Sequence, residues 1–178
     1  QTPQRMNAMR YWIRADDAWK RGEYKAAEKN LREALAIDPT YARAALSLGI
    51  ILFNNLQRNQ EARSLFLKLA QGRYPDSNSF IYAQSMYYLG LVERLFRKWK
   101  DAASWLIRAT QEKEFFVKAY VELGETYYLW AVSSDDSLSP EKRKQLLVRA
   151  DSVYKRGLKV LEAAQNELVP VPVSYVSL

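Results

Sequence analysis

The chain has 178 residues, a formal net charge of +7 and an apolar content of 48%, but it contains neither cysteine nor histidine. This composition excludes disulfides, thiolate and imidazole catalysis and the usual zinc ligands, and it predicts a protein that is not an enzyme and carries no cofactor. No segment approaches the ~18 consecutive apolar residues that a membrane-spanning helix needs. A cysteine-free chain that starts at Gln1 suits an exported protein, periplasmic or extracellular, after signal-peptide removal, and a cytoplasmic location stays open.

The first clear helix pattern follows the turn at Gly22. Apolar residues recur there at spacings of four and three, as Ala27, Leu31 and Ala34, before Pro39 stops the pattern. This spacing predicts a short amphipathic helix with a small-large-small stripe on its buried face. The stripe recurs three times along the chain, as Ala62, Phe66 and Leu69, as Ala102, Leu106 and Ala109, and as Ala150, Tyr154 and Gly157.

A Leu-Gly pair precedes each of the last three stripes, at Gly49, Gly90 and Gly124, and Ala15 stands at the corresponding point of the first repeat. Glycine inside a helix costs ~1 kcal/mol relative to alanine. Its recurrence at one point of successive helices therefore predicts a close backbone crossing that excludes a side chain.

The last helix has a clear predicted start. Ser139 suits the N-cap position, Pro140 suits the first helical position, and Glu141 lies in the first turn. The helix is predicted to run to about Gln165 and to serve as the terminal cap of the stack.

These features resemble the tetratricopeptide repeat, in which Leu-Gly lies in the first helix of a pair, Ala-x3-large-x2-small lies in the second, and Asp-Pro closes the unit. The resemblance implies an all-α, right-handed α-solenoid of about four antiparallel helix pairs over residues 1–166. The predicted repeats are 8–41, 42–76, 83–116 and 117–165, and an extended apolar tail follows over residues 167–178.

In this family the first helices of the pairs line a groove that receives a peptide. Most of the corresponding positions here are apolar, which predicts a protein-protein interaction scaffold that holds an extended apolar peptide within a larger assembly. The alternative is that aromatic and aliphatic residues at this spacing simply form core. The groove positions implied by the resemblance are Trp12, Asp16, Trp19, Leu46, Ile50, Phe53, Tyr87, Leu91, Arg94, Val121, Glu125 and Tyr128.

The tail supports a second hypothesis. Pro170 and Pro172 favour an extended backbone, and the apolar side chains around them match what the groove would accept. The protein would then be a self-assembling homo-oligomer, a ring or a filament, whose tail docks on a neighbouring copy. Docking on its own groove or on another protein stays open. The docking residues are Val169, Val171, Val173, Tyr175, Val176 and Leu178.

The last helix is also basic, which gives a third and less favoured hypothesis. Its cations would recruit an anionic surface or nucleic acid, with an affinity that falls as salt rises. The alternative is an ordinary solvated face of a terminal helix. The predicted basic face consists of Lys142, Arg143, Lys144, Arg149, Lys155, Arg156 and Lys159.

Overall fold

The structure is a computed structural model that describes residues 2–112 and 116–166. Over these residues all regular secondary structure is helical, and the helices pack as sequential antiparallel pairs, which confirms the predicted all-α, repeat-like fold. The eight helices of the described residues are α1 (Pro3–Lys20), α2 (Tyr24–Ile37), α3 (Ala42–Asn54), α4 (Asn59–Ala70), α5 (Ser79–Leu95), α6 (Trp99–Glu112), α7 (Val117–Val132) and α8 (Pro140–Asn166).

The chain divides into two compact units, and the boundary falls inside α5. The N-terminal unit, Gln1–Tyr88, contains α1 to α4 and the first part of α5. The C-terminal unit, Leu89–Leu178, contains the rest of α5 and α6 to α8. Each unit has its own buried apolar core, so each is described separately below.

The predicted stripes form the buried faces of the second helices. In α2, α4 and α6 the stripe residues are fully buried, and in α8 the small residues Ala150 and Gly157 are buried. Apolar side chains repeated at helical spacing lie on one side of a helix, and burying that side is what holds the pairs together. The amphipathic assignment of these four helices is therefore confirmed.

The recurrent glycines are explained by a side chain and not by the predicted backbone crossing. A Cβ added to Gly49 would lie 2.7 Å from Cε1 of Phe66, and one added to Gly90 would lie 2.5 Å from Cγ of Leu106. Carbon atoms do not approach this closely without strain. In both pairs the large residue of the stripe occupies the space that any larger residue would need for its side chain at the glycine position.

The start of the last helix agrees with its sequence signals. The Ser139 side-chain oxygen accepts a hydrogen bond from the backbone N–H of Lys142 at 3.2 Å, and Pro140 is the first helical residue. The guanidinium of Arg143 donates to the carbonyl oxygens of Ala131, Ser133 and Asp135, each at 2.7 Å. Arg143 therefore satisfies backbone acceptors in the last turn of α7 and just after it.

Arg5 ties three segments of the N-terminal unit together. Its guanidinium donates to the Asp38 carboxylate after α2 and, at 2.6 Å, to the Asp76 carboxylate before α5. Asp76 also accepts from the backbone N–H of Ala42 at 3.1 Å, at the start of α3. The hydrogen bond from Arg5, opposed by burial, holds the pKa of Asp38 below its usual value and raises that of Arg5.

Replacing Arg5 by alanine should lower the free energy of unfolding by about 1.5–3 kcal/mol near neutral pH, because hydrogen bonds to a charged group in a half-buried site are lost. The ordinary pKa of an aspartate is 3.8. Since the folded state lowers the pKa of Asp38, its stabilising effect is complete above that value and is lost as pH falls through the lower, folded pKa.

The difference between the native protein and the variant should therefore shrink in acid. Urea denaturation at a series of pH values, followed by circular dichroism, measures this difference. Arg10→Ala is the control, since Arg10 is an exposed cation on the same helix. A difference that stays constant down to about pH 2 would contradict the role given to the Arg5–Asp38 pair.

Candidate functional site

The predicted groove positions all lie on first helices of the pairs. The N-terminal unit holds Trp12, Asp16 and Trp19 on α1, Leu46, Ile50 and Phe53 on α3, and Tyr87 on α5. The C-terminal unit holds Leu91 and Arg94 on α5, and Val121, Glu125 and Tyr128 on α7.

In the N-terminal unit, α1 and α3 enclose a pocket of about 170 Å³. Four predicted groove residues meet there, and the buried pair Ala15 and Leu31 lies at its base. Ala15 occupies the position that glycine takes in the other repeats, and Leu31 is the large residue of the first stripe. The lining residues are Trp12, Ala15, Asp16, Trp19, Leu31, Ser47, Ile50 and Ile51.

Both tryptophans of the pocket are held by hydrogen bonds between α1 and the α3 region. The indole N–H of Trp12 donates to the Ser47 hydroxyl at 3.0 Å, and that of Trp19 donates to the side-chain oxygen of Asn55 at 3.3 Å. The Arg43 guanidinium also lies 5.4 Å from the ring centre of Trp12. Trp19 is nevertheless 45% exposed. The polar edges of the two rings are thus satisfied, and apolar ring surface remains open to a ligand.

One charged group lies in the wall of this pocket. The Asp16 carboxylate is 2.6 Å from the ammonium of Lys20, one turn later on α1, and both side chains are substantially exposed. An exposed pair of this kind contributes little to stability. The pocket is therefore mainly apolar, with its only charge already balanced by a neighbour on the same helix.

Two predicted groove residues of this unit belong to its core. Leu46 is 5% exposed and Tyr87 is 3% exposed, so they offer almost no surface to a ligand. Phe53 is half-buried, and its ring packs edge-on against Tyr88 at a centroid distance of 6.0 Å. For these positions the structure supports the core interpretation that the sequence had left open.

In the C-terminal unit, Arg94 and Glu125 are engaged within the unit. The Arg94 guanidinium donates to the Glu122 carboxylate at 2.6 Å and to the Glu122 carbonyl oxygen at 3.2 Å. Glu125 accepts a hydrogen bond from the Tyr154 hydroxyl at 3.2 Å. Burial and the nearby Glu125 charge raise the pKa of Tyr154 to about 12. The surface left for a ligand is contributed by Tyr128, which is 46% exposed, and by the half-buried Leu91 and Val121.

Residues 14–78 match the family model described as tetratricopeptide repeat. This segment therefore consists of tetratricopeptide repeats. Such repeats typically serve as protein-protein interaction scaffolds and are generally not catalytic. The match covers α2, α3 and α4 in full, which includes α3 and its side of the pocket, together with Asp16 and Trp19 on α1.

One solved structure shares this fold, and two others are similar at lower TM-scores. A crystal structure of MamA is 21% identical, covers 90% of this chain and 81% of its own, and has a TM-score of 0.70, which shows a shared fold. A second crystal structure of MamA protein has 18% identity, coverages of 93% and 98%, and a TM-score of 0.40. MamA 41-end from Desulfovibrio magneticus RS-1 has 17% identity, coverages of 88% and 96%, and a TM-score of 0.39. No curated protein matches the chain in sequence.

The tetratricopeptide pattern alone missed two polar or small members of the pocket, Ser47 and Ala15, and the residue that holds Trp19, Asn55. Ser47 lies three residues before Ile50, so helical spacing places both on one side of α3 and would have found it. Ala15 was noted for its place in the repeat and not as a pocket residue. No sequence signal pointed to Asn55. Its side-chain oxygen accepts a hydrogen bond from Trp19, which lies 36 residues earlier in the chain, and a local pattern does not report a contact at that distance.

The predicted basic face is not one face. Steps of 100° per residue place Lys142, Arg149 and Arg156 on one side of α8 and Lys144, Lys155 and Lys159 on another. Arg143 is occupied by the carbonyl oxygens at the end of α7 and just after it, and Lys155 is 2.8 Å from the Asp151 carboxylate. The docking residues Val169, Val171, Val173, Tyr175, Val176 and Leu178 lie outside the described residues.

Residues 2–112 and 116–166 contain neither a candidate membrane-spanning helix nor a candidate metal-binding cluster. No helix there is long and apolar enough to cross a membrane. In the same residues no three acidic, histidine or cysteine side chains are grouped in a way that could hold a metal ion.

Proposed function

We propose that the protein is a non-enzymatic scaffold that binds an extended apolar peptide of a partner protein and anchors one of its side chains between Trp12 and Trp19. The observation that carries this proposal is the pocket of about 170 Å³ on the first-helix side of the N-terminal unit. A cavity of ~150 Å³ with apolar walls accommodates a benzene ring. The pocket therefore has room for one leucine, valine or aromatic side chain.

The rings that form the pocket support this role. Because both indole N–H groups are already bonded, the rings need little reorganisation when a ligand arrives, and this lowers the entropy cost of binding. Tryptophan is enriched among the residues that dominate binding energy at protein interfaces.

The shape of the site favours an extended ligand. Trp12 and Trp19 are seven residues apart on α1, which corresponds to ~10 Å along the helix. An extended peptide rises ~3.3 Å per residue, so about three of its residues would span the two rings, with the middle one placed at the pocket.

Replacing Ile50 by aspartate should weaken binding at least about tenfold, because it places a charge in the apolar wall of the pocket. The probes are fluorescein-labelled peptides of about ten residues composed of Val, Pro, Leu and Tyr, titrated into the full chain with anisotropy as the readout. The chain's own tail sequence, NELVPVPVSYVSL, is one member of the panel.

Ile13→Asp is the matched control, since Ile13 is a 50% exposed isoleucine of α1 that does not line the pocket. It should leave the affinity unchanged. The proposal fails if no apolar peptide binds, or if Ile13→Asp and Ile50→Asp have the same effect. Two results together would favour the self-association hypothesis. The tail sequence would bind in preference to the other peptides, and deleting residues 167–178 would reduce the mass measured by light scattering from that of an oligomer to that of a monomer.

A further inference from the structure

The C-terminal unit contains a second candidate binding surface, a channel that runs between α6 and α8 over α7. Two adjoining pockets of about 330 and 410 Å³ share Ile107 and Tyr127 and so form one continuous depression. Its floor is apolar and includes Ile107, Leu123, Tyr127 and Val153. This surface is separate from the pocket of the N-terminal unit, and the inference does not depend on the function proposed for that pocket.

The rim of the channel carries uncompensated positive charge. Lys100, Arg108 and Arg149 line one pocket and Arg156 lines the other, while neither pocket has an acidic residue in its lining. All four side chains are exposed, and none forms an ion pair with another residue of the described part of the chain. Arg108 packs its guanidinium 4.6 Å from the ring centre of Trp105. The four cations are therefore available to an anionic ligand.

The equivalent place in the N-terminal unit is neutralised by the protein itself. Between α2 and α4, Glu28 contacts Arg32 at 2.9 Å and also contacts Arg58. Glu61 contacts Arg32 at 2.8 Å and also contacts Arg58. Two carboxylates thus balance two guanidinium groups on the outer surface of these second helices.

The C-terminal unit lacks both carboxylates. Glu28 directly follows the first alanine of its stripe, and the residue in that place on α6 is Ala103. Glu61 directly precedes the first alanine of its stripe, and the residue in that place on α8 is Arg149. The change at the second position replaces a negative charge with a positive one. In the N-terminal unit the carboxylates of Glu28 and Glu61 balance the cations, whereas the cations of the channel are left to attract anions from outside the protein.

We propose that this channel binds an acidic, amphipathic segment of a partner protein, with apolar side chains on the floor and carboxylates at the cationic rim. A protein segment fits better than nucleic acid because two of the three aromatic residues in the lining, Tyr120 and Tyr127, are at most 8% exposed and offer no ring face for base stacking. The third, Trp130, is half-buried, and a single ring does not form the series of stacking platforms that a single strand requires. From Lys100 to Gln111 the channel follows α6 for eleven residues, or ~16 Å, which accommodates about five residues of an extended segment.

The test uses the full chain and three labelled probes of similar length. The first is a peptide of about twelve residues made of glutamate with a leucine at every third position, the second has lysine in place of glutamate, and the third is a single-stranded DNA of about twelve nucleotides. The acidic peptide should bind, the basic one should not, and raising the salt from ~50 to ~300 mM should weaken binding severalfold.

Charge-reversal variants locate the site. Arg149→Glu should weaken binding of the acidic peptide at least about tenfold, and Arg108→Glu on the opposite rim should act in the same direction. Lys144→Glu is the matched control: it makes the same charge change on the same helix, outside the channel lining, and should change the affinity by less than about twofold. Circular dichroism verifies that each variant is folded.

Three results would overturn the proposal. The first is no binding of the acidic peptide at low salt. The second is equal weakening by Lys144→Glu and Arg149→Glu, which would reduce the effect to net charge. The third is tighter binding of the DNA probe with the same dependence on Arg149, which would identify a nucleic-acid site instead.

Discussion

Replacing Phe66 by alanine should lower the free energy of unfolding by about 3–5 kcal/mol. The Phe66 ring is fully buried, covers the position where Gly49 lacks a side chain, and stacks on Tyr88 at a centroid distance of 5.2 Å. Truncation removes these contacts and leaves a cavity. Gly49 cannot fill it, because it has no side chain to rearrange. Urea denaturation followed by far-ultraviolet circular dichroism measures the loss.

Phe66→Leu is the informative control. It keeps a large apolar side chain over Gly49 and should cost less than about half of the alanine variant's loss, since swaps that nearly preserve volume are tolerated best. If Phe66→Ala unfolds within about 1 kcal/mol of the native protein, the ring is not the packing element described here.

The helices and their buried faces could be predicted because their signals are local. The spacing of four and three places Ala27, Leu31 and Ala34 on one side of a helix whatever its neighbours are. The start of α8 was predictable for the same reason, since Ser139 and Pro140 act on the backbone within one turn.

The explanation of the glycines was only half predictable. A glycine in a helix indicates that a Cβ is excluded, but it does not say which neighbour excludes it. The prediction of a backbone crossing was wrong for Gly49, Gly90 and Gly124, because the contact is a large side chain from the second helix of the pair. For Gly157 the nearest atom to an added Cβ is Cβ of Tyr120, at 2.9 Å.

The candidate sites were less predictable because they depend on contacts between distant residues. Position on a first helix does not reveal that Leu46 and Tyr87 are covered by neighbouring side chains. Nor does it reveal that Arg94 is bound to Glu122, 28 residues later. The cationic channel depends on α6 as well as α8, so a count of charges on α8 alone could not separate Arg149 from Lys144.

Replacing Gly124 by valine should destabilise the C-terminal unit by about 3 kcal/mol, at the upper end of the range for overpacking. An added Cβ would lie 2.5 to 2.7 Å from three ring atoms of Tyr154. The gain in helix propensity over glycine is under about 1 kcal/mol and cannot offset this overlap. Chemical denaturation followed by the fluorescence of Trp99, Trp105 and Trp130, the tryptophans of this unit, measures the loss.

The Tyr154 ring cannot relieve the overlap by moving aside, because its hydroxyl donates to Glu125 and a shift would also break that hydrogen bond. Combining Gly124→Val with Tyr154→Ala should therefore cost less than the sum of the two single substitutions, by about 1–3 kcal/mol, since the second removes the obstacle to the first. Tyr154→Phe keeps the ring and loses only the hydroxyl, so it should leave most of the cost of Gly124→Val in place. Equal rescue by phenylalanine and alanine would assign the conflict to the hydrogen bond and not to the ring, and would refute the steric explanation for glycine at this position.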